Sequence, residues 1–323
     1  MTYNLVVWTI LLILGVAILI KGADLLVDGG GKAAAYVGIP TIVIGLTLVS
    51  FGTSVPELAS SLNAVFKGRT GISIGNVIGS NVANMLLVLG VSAIVKPISV
   101  DTKVVKREIP IMFAAMLLLL IFSIGLSIGR LEGIILLLAL IVYIGFFIWV
   151  AIFEGREEVV EQKFDDLPKN QFQKRDLKVN LVKLVVGILG IVLGAEMMIR
   201  SSIFYIQEFQ ISESLVGLTI IALATSLPEL AASSVASYKG ESDISIGNVI
   251  GSNTFNILMV LGICAIFVPI TFTAEIFPNL MIMISVSILI TIFIYTGRKI
   301  GRLEGVIMTS FYFLYLIFLY MGR

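Results

Sequence analysis

Residues 73–81 read SIGNVIGSN, and the same nine residues stand unchanged at 245–253, an offset of 172. Working outward at that offset without a gap, Thr53-Ser54-Val55-Pro56-Glu57-Leu58 meets Thr225-Ser226-Leu227-Pro228-Glu229-Leu230, and Gly22-Ala23-Asp24 meets Gly194-Ala195-Glu196. Pro97 meets Pro269, and GRLEG at 129–133 returns at 301–305. A match running from about residue 22 to 133 is an internal duplication, so the chain reads as one unit used twice.

The unit is a membrane unit. Of 323 residues, 58% are hydrophobic and 13% charged, too few polar groups to cover a water-soluble globule. Leu, Ile and Val run continuously instead of alternating, which selects helices over a barrel. Hydropathy places ten spans near 4–27, 39–66, 72–95, 107–127, 130–153, 179–202, 212–238, 244–268, 276–297 and 303–321. The expected fold is therefore an all-α integral membrane protein with ten transmembrane helices in two inverted five-helix repeats, because an odd number of spans sends the second copy in from the other side. The repeats are 1–153 and 179–323, joined by a polar linker at 154–178. The N-terminal apolar run lacks a basic start and a cleavage site, and reads as the first span.

Net charge is +1, which gives no bias toward nucleic acid. There is no histidine, so imidazole metal sites and histidine relays are excluded, and the one cysteine, Cys264, reads as packing. With the N-terminus outside, the outer basic residues are Lys67, Arg69, Arg130, Arg200 and Arg323, while Arg156, Lys163, Lys169, Lys174, Arg175, Lys178 and Lys183 gather in or just after the linker. The positive-inside rule then puts both termini outside and the central loop in the cytoplasm of a multi-pass cell-membrane protein.

Charge inside a bilayer is costly and calls for a function. Glu57 and Glu229 fall well inside their spans, with no basic residue within one turn. Asp24 and Glu196 have Lys21 and Arg200 at helical spacing and read as ordinary helix-end pairs. Ser50, Thr53, Ser54 and Glu57 share one helix face, repeated by Ala222, Thr225, Ser226 and Glu229. Pro56 and Pro228 remove a helical donor and disfavour α geometry just before them, so broken helices with free carbonyls at Thr53 and Thr225 are expected. On the next span Asn76, Ser80 and Asn84 stack, as do Asn248, Ser252 and Asn256. Carboxylate, hydroxyl, amide and carbonyl oxygens together suit a hard cation. Serine beside glutamate without histidine or an aqueous cleft does not make a hydrolase.

GTSVPEL at 52–58 with GNVIGSN at 75–81, and ATSLPEL at 224–230 with GNVIGSN at 247–253, resemble the two alpha-repeats of the calcium/cation antiporter superfamily, in its prokaryotic sodium/calcium exchanger branch. The motifs occupy 50–84 and 222–256. The resemblance implies a secondary antiporter, not an enzyme, that exports calcium in exchange for sodium by alternating access. It needs no cofactor, works as a monomer, and has calcium and sodium ions and the lipid bilayer, but no nucleic acid, as partners. It implies the metal ligands Ser50 (through its backbone carbonyl), Thr53, Ser54, Glu57, Ser80 and Asn84, with Ala222, Thr225, Ser226, Glu229, Ser252 and Asn256. By the same analogy the peripheral spans near 4–27 and 179–202, with few polar residues facing the core, slide across it. A neutral Asn256 argues against potassium co-transport and leaves the two glutamates as the strong anions. A proton-coupled exchanger is the rival within transport; a channel or ion sensor is the rival outside it.

Overall fold

The computed structural model describes residues 2–153, 174–208, 224–272 and 276–321. Helices α1 (Thr2–Val37), α2 (Thr41–Ile44), α3 (Ser50–Thr53), α4 (Val55–Phe66), α5 (Thr70–Ala83), α6 (Leu89–Val95), α7 (Ile109–Ile124) and α8 (Arg130–Phe153) form the first half. In the second half α9 (Lys174–Glu208) precedes α10 (Leu227–Lys239), α11 (Ser242–Phe255), α12 (Gly262–Phe267), α13 (Ile276–Gly297) and α14 (Arg302–Met321). Among the described residues nine helical stretches are long and apolar enough to cross a bilayer. The expected span at 212–238 lies partly outside the described residues, which resume at Ala224 and contain α10.

Two boundaries differ from expectation. The first span was expected to end near 27, before the Asp28-Gly-Gly-Gly-Lys32 run, yet α1 continues to Val37. Asp28 is held by Lys32 at 2.6 Å and Lys183 at 2.7 Å, so its charge does not terminate the helix. Helix α9 begins at Lys174, so the last five residues of the proposed linker, 174–178, are helical; the rest of that linker lies outside the described residues.

Helices α1 and α9 lie antiparallel at backbone contact. A Cβ on Gly15 would meet the Gly194 carbonyl at 3.0 Å, one on Gly22 the Ile191 nitrogen at 2.6 Å, and one on Gly29 the Asn180 carbonyl at 2.6 Å. Only glycine permits that approach, as in small-residue packing of membrane helices. This pair, with part of α10, builds a small apolar cluster around Leu19, Leu26, Leu184 and Ile191. A larger cluster, from Ile74 and Leu89 to Leu261 and Tyr312, unites the other helices.

Short strands tie the halves together at the helix ends. β1 (Ile98–Ser99) pairs antiparallel with β4 (Lys299–Ile300), and β2 (Ser127–Ile128) with β3 (Ile270–Thr271). The ladders extend by two matching bonds, Val100 N to the Arg298 carbonyl at 2.9 Å and Phe272 N to the Leu126 carbonyl at 2.8 Å. Leu126 and Arg298, one repeat apart, are the only non-glycine residues at positive φ among those described, 58° and 45°, where the chain reverses into β2 and β4. At these turns the duplication is kept in backbone conformation as well as in position.

Candidate ion-binding site

Both glutamates sit in the first turn of a helix that starts in the middle of its span. The break is at Ser54 (φ −83°, ψ 2°) and Ser226 (φ −85°, ψ 2°), after which α4 and α10 begin. The proline rule placed non-helical geometry immediately before Pro56 and Pro228; instead Val55 and Leu227 already belong to the new helices. The reason is that a proline in the first turn lacks only an N–H that would have no helical partner anyway. The Ser54 carbonyl accepts Leu58 N at 3.2 Å and the Ser226 carbonyl accepts Leu230 N at 3.0 Å. The helix N-termini, with their partial positive charge, carry Glu57 and Glu229.

Each glutamate is fully buried, and neither carboxylate has a protein hydrogen-bond partner. Glu57 lies near Thr225, and Glu229 near Thr53, Ser54 and Ser252. Other buried side-chain oxygens without a partner are Ser54 Oγ, Ser226 Oγ, Asn84 Oδ1 and Asn256 Oδ1. Outside this group the same condition occurs among the described residues only at Ser73 and Glu108. Buried polar atoms are ordinarily satisfied, so six orphaned groups on residues of one duplicated motif form a set of unmet acceptors that suits something positively charged.

The surrounding network is two-fold symmetric. Thr53 Oγ1 donates to Asn248 Oδ1 at 3.1 Å and Thr225 Oγ1 to Asn76 Oδ1 at 3.3 Å. Thr53 and Ser252 hydroxyls are 3.2 Å apart, those of Thr225 and Ser80 3.5 Å. Asn76 Nδ2 donates to Ser61 Oγ at 3.1 Å and the Glu57 carbonyl at 3.4 Å; Asn248 Nδ2 repeats this with Ser233 at 2.9 Å and the Glu229 carbonyl at 3.4 Å. Asn76 and Asn248 therefore bind the break helix of their own half and the threonine of the other.

Two further asparagines, Asn81 and Asn253, were missed by the sequence reading. Asn84 Nδ2 donates to Asn253 Oδ1 and Asn256 Nδ2 to Asn81 Oδ1, both at 3.1 Å. Spending each amide nitrogen on the opposite half leaves Oδ1 of Asn84 and Asn256 as the free end, and flipping either amide would set two oxygens against each other. Asn84 and Asn256 also open π-helical turns, Asn84–Val88 and Asn256–Leu261, a distortion that concentrates at functional sites. Only the repetition of the final Asn of GNVIGSN in both halves could have flagged the pair in sequence.

Ser50 is in the site region but its hydroxyl is not available: it bonds the Gly45 carbonyl at 2.7 Å and the Asn248 carbonyl at 3.1 Å. Ala222 lies outside the described residues. Asp24 and Glu196 make the expected helix pairs, Lys21 to Asp24 at 2.7 Å and Arg200 to Glu196 at 2.6 Å. Asp24 also reaches Lys239 on α10 at 2.5 Å, which corrects the expectation that the peripheral helices turn few polar groups to the core. No group of three or more His, Cys, Asp or Glu gathers among the described residues, so any ion here is held by two carboxylates and neutral oxygens.

Known proteins resemble this chain in sequence and in fold. A family model described as sodium/calcium exchanger protein matches residues 7–149 and 179–321, one copy per half. Sodium/calcium exchanger MaX1 of Methanosarcina acetivorans is 34% identical over 96% of this chain and 98% of its own length. Inner membrane protein YrbG of Escherichia coli is 33% identical over 88% of this chain and 87% of its own. Among solved structures, the sodium-calcium exchanger NCX_Mj soaked with 10 mM Na+ and 10 mM Sr2+ superimposes with a TM-score of 0.82 at 28% identity, covering 96% of this chain and 97% of that one.

Proposed function

The chain belongs to the sodium/calcium exchanger family, and on that premise we propose that it is a secondary antiporter that exports calcium in exchange for sodium by alternating access. The observation that carries this is the set of fully buried, partnerless carboxylates at Glu57 and Glu229, surrounded by orphaned hydroxyl and amide oxygens from both halves. Leaving such charges unpaired costs several kcal/mol each, which a bound cation offsets.

The ligands are Glu57 and Glu229, with Thr53, Thr225, Ser54, Ser226, Ser80, Ser252, Asn84 and Asn256. Ser50 and Ala222 contribute backbone carbonyls only. Two carboxylates neutralise one calcium ion or two sodium ions, and a third sodium held by neutral oxygens leaves the loaded site positive. Because both ions need the same glutamates, they exclude each other, which is the basis of coupling. Many oxygens on flexible side chains suit calcium better than the tight octahedron of magnesium.

The repeats are residues 1–153 and 179–323, with alpha motifs 50–84 and 222–256, and 154–178 joins them in the cytoplasm with both termini outside. The protein acts as a monomer, since each half completes the site of the other. The pair α1 and α9, closely packed on each other through Gly15, Gly22 and Gly29, moves against the remaining helices to change access.

Calcium uptake by sodium-loaded proteoliposomes tests the assignment. An outward sodium gradient at fixed pH should drive saturable uptake without single-channel conductance. Uptake indifferent to sodium but driven by a proton gradient would overturn it.

A further inference from the structure

The repeat is closely obeyed in the core but broken where the peripheral helices meet it. Asp24 on α1 accepts two lysines, Lys21 one turn back on its own helix and Lys239 at the end of α10. Lys239 also donates to the Asp24 backbone carbonyl at 3.0 Å. At the offset of 172, Asp24 becomes Glu196 and Lys239 becomes Lys67, so the sequence encodes the same acid and the same base twice.

The second copy is half made. Glu196 has its own-helix partner, Arg200 at 2.6 Å, but no partner across to the core among the described residues. Lys67, at the end of α4, is exposed and forms no ion pair among the described residues. Packing follows the charges: α1 runs along α10, whereas α9 has no comparable contact with α4. The backbones of α4 and α9 are both described, so the asymmetry holds among the described residues.

We propose that Asp24–Lys239 and Glu196–Lys67 are a pair of ionic latches at opposite ends of the molecule that close alternately. In this structure the Lys239 end is latched and the Lys67 end is released. In the opposite state the peripheral pair shifts, Asp24 keeps only Lys21, and Glu196 accepts Lys67 while keeping Arg200. Each acid thus retains one intrahelical cation throughout, and only the pairing to the core changes. Because each latch joins one carboxylate to one ammonium, closing one compensates for opening the other, and the two states stay close in energy.

The proposal rests on the alternating-access reading but has its own readout. In a Cys264→Ala background, Lys67→Cys with Glu196→Cys is treated with a short bifunctional thiol reagent, and intrachain cross-linking is scored by mass. Asp24→Cys with Lys239→Cys is scored in parallel. Both pairs should cross-link. Adding Lys239→Gln to the 67/196 pair should raise its yield about two- to five-fold, the range set by a partly exposed ion pair. Charge reversal, Asp24→Lys with Lys239→Asp, should restore the original yield. Absence of 67/196 cross-linking with or without calcium and sodium, or a yield unmoved by Lys239→Gln, would overturn the latch. Sodium-driven calcium uptake by the unsubstituted protein is measured separately; its failure strikes the transport assignment and leaves the cross-linking result to decide the latch.

Discussion

Asn81→Ala tests whether the asparagine tether orients the site. The substitution removes the oxygen that holds Asn256 Nδ2 at 3.1 Å and the amide that donates to the Asn253 carbonyl at 3.2 Å. Asn81 is fully buried and its replacement is small, so the stranded groups find no water nearby; each costs about 1–3 kcal/mol of stability. The effect on ions is separable. Freed from its tether, the helical Asn256 samples about two χ1 wells and two amide orientations, so its Oδ1 faces the ion about one-quarter of the time, a penalty of about 0.8 kcal/mol. Calcium half-saturation in uptake should therefore rise about four-fold, with protein that still elutes as a folded species. Asn253→Ala, which releases Asn84, should match it by symmetry. If Asn81→Ala lowers thermal stability but leaves calcium half-saturation within about two-fold, the tether is structural only and the reasoning fails.

Glu57→Gln and Glu229→Gln should each reduce calcium uptake by at least about 100-fold, since losing one partner of a buried charged cluster costs about 3–5 kcal/mol; a large difference between the two would contradict the two-fold site. Ser50→Ala should keep uptake within about two-fold while melting shows a loss of about 1 kcal/mol, because its hydroxyl serves backbone carbonyls and not an ion. Gly22→Val should abolish uptake and destabilise by about 1–3 kcal/mol, its Cβ meeting the Ile191 nitrogen at 2.6 Å, whereas Gly71→Ala, with nothing within 4 Å, should do neither on a melting and uptake assay.

The sequence made the site legible because intramembrane carboxylates are expensive and the duplication repeated them. Glu57 and Glu229, with their hydroxyl neighbours, needed no coordinates. The break was located to within two residues, and the error was local: whether a proline ends one helix or starts the next depends on where the new N-terminus falls, which residue preference alone does not decide. Asn81 and Asn253 were hidden because a tether is a relation between helices, invisible to periodicity along either one. The run of α1 past Asp28 was partly hidden for the same reason: Lys32 pairs with Asp28 locally, but its second partner, Lys183, lies in the other half. The Asp24–Lys239 pair escaped because Lys21 offered a sufficient local partner.

Consider last the two strand ladders. Each takes one strand from each half, so a half-chain alone would present bare strand edges at both ends, asparagine amides with nothing to grip and a single carboxylate facing an incomplete cage. Two identical half-chains placed about the same two-fold would satisfy every one of these groups mutually. The fold is in this sense a dimer written on one polypeptide, its halves joined through the central segment at 154–178. Cutting the chain there and supplying the halves as separate polypeptides should leave them able to find each other.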